Sequence, residues 1–140
     1  MTDELRDAHS KTIRRVAFSP CGTLLASAGF DGLVSVWCRE INGWRCVASL
    51  EGHENEVKAV AWSPDGRCLA TCGRDKTVWI WLLISDDDEG PKLKCRDDLV
   101  DFECLAVLAE HSQDVKHVVF NPQNSNMLVS SSYDDSLRVW

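Results

Sequence analysis

The chain has 140 residues, 44% hydrophobic and 26% charged, with a formal net charge of −7. That length suits one ordinary domain, and the hydrophobic share argues against wholesale disorder. The acidic balance argues against a nucleic-acid groove and against adhesion to an anionic membrane, so neither class of partner is expected.

No apolar run approaches the ~20 residues that a membrane span needs. The opening MTDELRDAHS is polar and has no apolar signal-peptide core. The expected location is the cytoplasm, with the nucleus as a second one. Seven cysteines occur: Cys21, Cys38, Cys46, Cys68, Cys72, Cys95 and Cys104. Their odd number and the lack of a CxxC pair imply a reducing compartment and free, buried thiols.

Taken in chain order, the elements are short strands separated by turn chemistry. Strands are predicted at about 13–19, 23–29, 33–38 and 44–50, then at 57–63, 67–73, 77–83 and 102–108. Val57, Ala59 and Ala61 alternate with Lys58, Val60 and Trp62 on the period of two that a strand requires. Ser63-Pro-Asp-Gly66 and Gly73-Arg-Asp-Lys76 read as turns. Residues 84–101 carry an acidic run and a Gly-Pro pair without periodicity, and read as a long exposed insertion between two strands. It is a tolerated surface insertion or a docking element; acidic runs are usually solvated, which favours the former.

Three copies of one pattern underlie these strands. His9 to Trp37 spans 28 positions, His53 to Trp81 spans 28, and His111 to Trp140 spans 29. Each copy places a Ser or Thr four residues before an Asp, and that Asp six residues before the Trp: Ser27/Asp31, Thr71/Asp75 and Ser130/Asp134. A repeat of this size is one supersecondary unit that buries its apolar face only by stacking on its neighbours. Four short antiparallel strands per unit of ~40–45 residues define a β-propeller blade. The expected fold is therefore all-β, a partial propeller of just under three four-stranded antiparallel blades. Blade one is expected at about 9–50, blade two at about 53–108 with the insertion 84–101, and an incomplete blade three at about 111–140. An extra residue in Asn121–Met127 is expected to lengthen the first turn of the third copy.

Ser or Thr, His and Asp can also form a hydrolase triad. Here the set occurs three times, lacks a GxSxG elbow, and always has a Trp at a fixed offset. A buried indole N–H needs an acceptor. A hydroxyl can take that bond and donate to the imidazole, whose other nitrogen donates to the carboxylate. The quartets His9/Ser27/Asp31/Trp37, His53/Thr71/Asp75/Trp81 and His111/Ser130/Asp134/Trp140 are therefore read as structural tetrads. No enzyme activity, catalytic residue, metal or cofactor is expected. Cys68 and Cys72 would lie about 13 Å apart on one strand face, too far to share an ion. His117, inside strand sequence, is expected to be half-buried packing.

These quartets identify the chain as resembling the WD-repeat family, although Cys38 and Leu82 stand where an Asp often follows the Trp. Within that family, LEGHENEVKAVAWSPDGRCLATCGRDKTVWIW, DFECLAVL and HSQDVKHVVFNP resemble the members that serve cytosolic iron–sulfur protein assembly. The resemblance covers about residues 8–83 and 101–140. It implies a seven-bladed, non-enzymatic scaffold. Its implied partners are the other subunits of an iron–sulfur targeting complex and the apo iron–sulfur proteins that receive clusters.

The family carries an exposed arginine in a Cys-x-Arg-Asp-Lys turn that is implicated in partner contact; here it is Arg74. Phe30 and Tyr133 occupy the equivalent position, just before the tetrad Asp. Lys11, Asn55 and Gln113, two residues after each His, are expected nearby on the same rim. Arg and Tyr are favoured at hot spots. The plainer reading is that Arg74 pairs with local acids.

A closed propeller typically takes about 4–8 blades, so these blades should leave two faces bare. Self-association or a completing chain would cover them. A fragment of a larger protein is the favoured reading; a self-assembling short form and a propeller completed by another chain are the others. The alternative functions are a generic WD-repeat adaptor, of the ubiquitin-ligase or chromatin type, and an inactive truncated product.

Overall fold

A computed structural model describes residues 2–84 and 100–140. Those residues form eleven strands and no helix. The first sheet has the order β1 (Ile13–Phe18), β2 (Leu24–Gly29), β3 (Val34–Glu40), β4 (Gly43–Leu50). The second has the order β5 (Val57–Trp62), β6 (Cys68–Gly73), β7 (Val78–Leu83), β8 (Phe102–Leu108). The third places β10 (Asn124–Ser132) between β9 (Val115–Asn121) and β11 (Leu137–Val139). Every pairing is antiparallel, and each four-stranded sheet is a meander. The fold is thus all-β, an open array of three propeller-type sheets, as the repeat pattern requires.

Local chemistry sets each turn. Gly22 and Gly66 both adopt φ of 73°, a conformation that glycine enters without a Cβ penalty. Their N–H groups close the turns onto Ser19 O at 2.8 Å and Ser63 O at 2.9 Å. The serine hydroxyls then take the next free donors, the Leu24 and Cys68 N–H groups, at 3.1 and 2.9 Å.

The strict alternation read from the sequence is interrupted. In all three sheets the first strand shifts register five residues after the tetrad His, at Arg14, Lys58 and Lys116. The extra residue at this bulge increases twist and re-aims a side chain. It also puts Val57, Ala59 and Val60 all in buried positions. A second shift falls opposite the Trp, at Val47 and Leu105.

The core lies between sheets. One cluster joins Val34, Val36 and Leu24 of the first sheet to Val57, Val60 and Trp62 of the second. Another joins Val78, Ile80 and Cys72 of the second to Val115, Val118 and Phe120 of the third. Burying each such side chain stabilises by roughly 1.5–3 kcal/mol. The Trp62 indole also donates to the Ala17 carbonyl across the first junction, at 3.1 Å.

Three expectations need correction. The thiols are not uniformly free and buried: Cys21, Cys46 and Cys104 are exposed, and Cys38 is disulfide-bonded. Burial follows which blade covers a strand, and the outer strands and turns are left open. Cys95 lies outside the described residues. His117 is exposed rather than half-buried, because its side of β9 faces away from the packed sheet. The extra residue of the third copy does not lengthen the turn. Asn121 pairs directly with Asn124, and the surplus is absorbed as an irregularity before Leu128.

Of the insertion, residues 85–99 lie outside the described residues. Its ends are held together, with Ile84 N–H donating to Asp101 O at 2.9 Å. The strands on either side keep the register of the first sheet: Val78 faces Leu108 as Val34 faces Leu50.

Candidate protein-docking rim

Each sheet begins at one edge with a histidine loop and returns to that edge at the turn between its second and third strands. The two are joined by a four-residue polar chain. In the second sheet His53 Nδ1 lies 2.7 Å from Asp75 Oδ2, and its Nε2 lies 2.8 Å from Thr71 Oγ1. The Trp81 indole donates to that same Thr71 oxygen at 3.0 Å. A carboxylate can only accept, so one assignment satisfies the whole chain. Nδ1–H donates to Asp75, Nε2 accepts from the Thr71 hydroxyl, and the hydroxyl accepts from Trp81.

The other two quartets have the same connectivity. His9 lies 3.1 Å from Asp31 and 2.8 Å from Ser27, with Trp37 at 3.0 Å from Ser27. His111 lies 2.8 Å from both Asp134 and Ser130, with Trp140 at 2.9 Å from Ser130. Backbone donors add to each carboxylate: Ser10 and Leu33 N–H to Asp31, Glu54 and Thr77 N–H to Asp75, Ser112 and Ser136 N–H to Asp134. Burial raises the Asp31 and Asp75 carboxyls, but the histidine and backbone hydrogen bonds outweigh it and hold both below the ordinary range. Asp134 is also held well below the ordinary range, first by the Ser136 hydroxyl and then by His111.

Chemically, these chains tie strands together. Ser27, Thr71 and Ser130 are at most 2% exposed, and each oxygen is already engaged by both an imidazole and an indole. A nucleophile needs an open approach for the reacting carbon, and these hydroxyls offer none.

By rigidifying the turns, the tetrads fix what the rim displays. The residue before each tetrad Asp donates its N–H to the loop after the histidine. Phe30 bonds Thr12 O at 2.9 Å, Arg74 bonds Glu56 O at 3.0 Å, and Tyr133 bonds Asp114 O at 3.0 Å. Lys11, Asn55 and Gln113 are the preceding residues in those loops, and all three are exposed. Arg74 and Tyr133 are exposed as well, whereas Phe30 is half-buried. Arg74 does pair with a local acid, Glu56 at 3.1 Å, yet 58% of its side chain remains open to solvent.

Sequence reasoning missed four members of this rim: Glu56, Lys58, Asp114 and Lys116. Lys58 Nζ reaches Asp114 of the next sheet at 2.5 Å. Lys116 Nζ sits 3.3 Å from the centroid of the Tyr133 ring. The readable signal was positional. A basic residue stands five places after every tetrad histidine, at Arg14, Lys58 and Lys116, which is the bulge. Among the described residues, no group of three or more His, Cys, Asp or Glu could hold a metal ion.

The three-sheet array and its repeated tetrads define a propeller-type repeat protein. The family model described as "WD domain, G-beta repeat" matches residues 3–38, 44–81 and 102–140, and the chain belongs to the WD40 repeat family. The chain is 44% identical over 96% of its length to a "Probable cytosolic iron-sulfur protein assembly protein 1" of Chaetomium globosum, covering 22% of that protein. It is 41% identical over 94% of its length to the protein of that name in Malassezia globosa, covering 24% of it. A shorter match, 53% identical over 34% of the chain and 14% of the relative, is to the "Probable cytosolic iron-sulfur protein assembly protein Ciao1" of Culex quinquefasciatus. The chain thus spans less than a quarter of these curated relatives.

Proposed function

We propose that this chain forms part of a non-enzymatic interaction scaffold for cytosolic iron–sulfur protein assembly. Similarity across nearly the whole chain to two proteins named for that process carries the reading. The scaffold would sit in the cytoplasm, and in the nucleus where its clients do. It would dock the other subunits of a targeting complex and the apo-proteins that receive clusters, with the cluster as cargo rather than resident cofactor. The docking surface is the rim that carries Arg74, Tyr133, Phe30, Lys11, Asn55 and Gln113. Arg and Tyr held by rigid turns contribute contact area at low entropic cost.

The test is quantitative affinity capture from cytosol with the wild-type chain and Arg74→Glu. Recovery of iron–sulfur assembly factors that falls at least tenfold in the variant supports the reading. Recovery of ubiquitin-ligase subunits or histones instead would point to a generic WD-repeat adaptor. Recovery of assembly factors unchanged by Arg74→Glu would move the docking surface elsewhere.

A further inference from the structure

An asparagine amide can be attacked by the backbone nitrogen of the next residue, which closes a succinimide ring. The attack is least hindered where that residue is glycine, which has no Cβ beside the nitrogen. Asp or Asn precedes glycine at Asp31-Gly32, Asn42-Gly43 and Asp65-Gly66. Two of these side chains are held in place. Asp31 accepts from His9 and from the Ser10 and Leu33 N–H groups, and Asp65 accepts from the Ser63 hydroxyl and the Arg67 N–H. Asn42 is free: among the described residues its amide has no hydrogen-bond partner. The other asparagines are placed less well for the reaction. Asn121 precedes Pro122, whose nitrogen has no proton to lose. Asn124 Oδ1 already accepts from the Asn126 N–H at 3.0 Å. Asn55 and Asn126 precede Glu56 and Met127, whose side chains crowd the attacking nitrogen.

The fold then sets where Asn42 stands. It lies at the tip of the β3–β4 hairpin, in the turn Ile41–Asn42 that closes on the Glu40–Gly43 pair. The tip stands clear of the sheets: Ile41 is 102% exposed, and Asn42 is exposed beside it. Gly43 takes φ of 134°, and a Cβ built on it would meet nothing within 4 Å, so the flank of the attacking residue is open. Ring closure needs the tip to flex. Glu40–Gly43 is the last rung of its ladder and Glu40 is exposed, so opening that rung disturbs no packed side chain.

We propose that Asn42 is a modification site, where the folded chain converts its own amide to aspartyl and isoaspartyl forms. The Gly43 nitrogen gives up its proton and bonds to Asn42 Cγ. The Cγ–Nδ2 bond breaks, and ammonia leaves with that proton. Water then opens the succinimide at either carbonyl. Opening at Cγ restores the ordinary backbone and leaves an aspartate. Opening at the main-chain carbonyl routes the backbone through Cγ and leaves an isoaspartate. Either product adds a negative charge to a chain already at −7. That charge falls beside Glu40, repelling it and competing for its partner Arg45. Isoaspartate also lengthens the backbone of the turn, which the Glu40–Gly43 pairing does not absorb. Its carboxylate is the acceptor of the class of O-methyltransferase that methylates isoaspartyl residues, so the hairpin tip is where such an enzyme acts on this chain.

The test is incubation of the 1–140 chain at pH 7.4 and 37 °C, sampled over weeks, with and without urea. Peptide mapping by mass spectrometry follows each asparagine, and labelled methyl transfer by an isoaspartyl O-methyltransferase follows the isoaspartyl product. Strand circular dichroism checks that the urea-free samples stay folded. In the folded chain the Asn42 peptide should convert at least tenfold faster than the Asn55 and Asn126 peptides and should split into two isomers. Methyl uptake should rise with it and be lost in Asn42→Gln, whose longer side chain closes the ring far less readily. An Asn42 peptide that stays unmodified, or that converts only in urea, would overturn the proposal. So would methyl uptake that survives Asn42→Gln, since it would place the isoaspartyl residue elsewhere.

Discussion

Gly52 and Trp79 fit together only because Gly52 has no side chain: a Cβ there would lie 2.5 Å from the Trp79 ring. The ring in turn stacks on Trp81 at 5.2 Å and lies 5.5 Å from His53. The same two positions are matched differently elsewhere. In the first sheet Ser35 Oγ donates to Ala8 O at 3.2 Å. In the third, Arg138 lies 3.7 Å from Glu110. The residue before the tetrad histidine and the residue two before the tetrad tryptophan are thus one paired choice per blade.

Gly52→Ala is accordingly expected to destabilise the chain by about 1–3 kcal/mol through overpacking. Gly52→Ala combined with Trp79→Ser, which recreates the first-sheet pair, should be less destabilised than the sum of the single changes. A double-mutant cycle in urea measures that coupling, and strict additivity would contradict it.

The buried Thr71 hydroxyl is engaged on both sides, by His53 and by Trp81. Thr71→Val keeps the shape but strands the Trp81 indole N–H and the His53 Nε2, both buried. Leaving a buried polar group unsatisfied costs about 1–3 kcal/mol, so the loss should exceed that of an ordinary surface change. Thr71→Ser retains the hydroxyl, as Ser27 and Ser130 do, and should recover most of it. Urea midpoints of the two variants decide the matter.

The sheet architecture was legible because it is repetitive. A Pro-Gly turn, a period of two and a recurring tryptophan each report a local constraint, and the copies report it three times. The bulges at Arg14, Lys58 and Lys116 were not legible. A bulge changes the phase of side chains without changing their composition, so Lys58 read as one more alternating strand position. The bond from Lys58 to Asp114 spans two sheets, and no local pattern encodes it. Exposure was equally hidden: Val16 and Val60 are the same residue in the same setting, and only the neighbouring blade separates them.

The cysteines should separate by environment. Burial pushes the Cys72 thiol up to about 12. Cys21 is raised by partial burial, but hydrogen bonds from Ser19 and Thr23 outweigh it and bring its thiol below the ordinary value. The thiolate is the reactive form. Brief alkylation at pH 8 with mass mapping should therefore label Cys21 early and leave Cys72 unmodified until the chain unfolds. Equal labelling of the two would contradict the burial of β6.

Acid should unfold the chain through the tetrads. Asp31, Asp75 and Asp134 all bind protons less readily in the folded chain than in the unfolded one. Groups of this kind contribute stability that is fully present above the unfolded carboxyl value, near pH 4, and is lost as pH falls through their lower folded values. A carboxyl that takes up a proton becomes a poorer acceptor, and weakens its bonds from the histidine Nδ1–H and the backbone N–H groups. Urea midpoints should stay nearly level from pH 7 to pH 5 with respect to these groups and fall steeply below pH 4. Asp75→Asn removes the titrating group from the central sheet. It should lower the midpoint at pH 7 and flatten the acid limb; an acid limb as steep as the wild type's would show that other carboxylates control the transition.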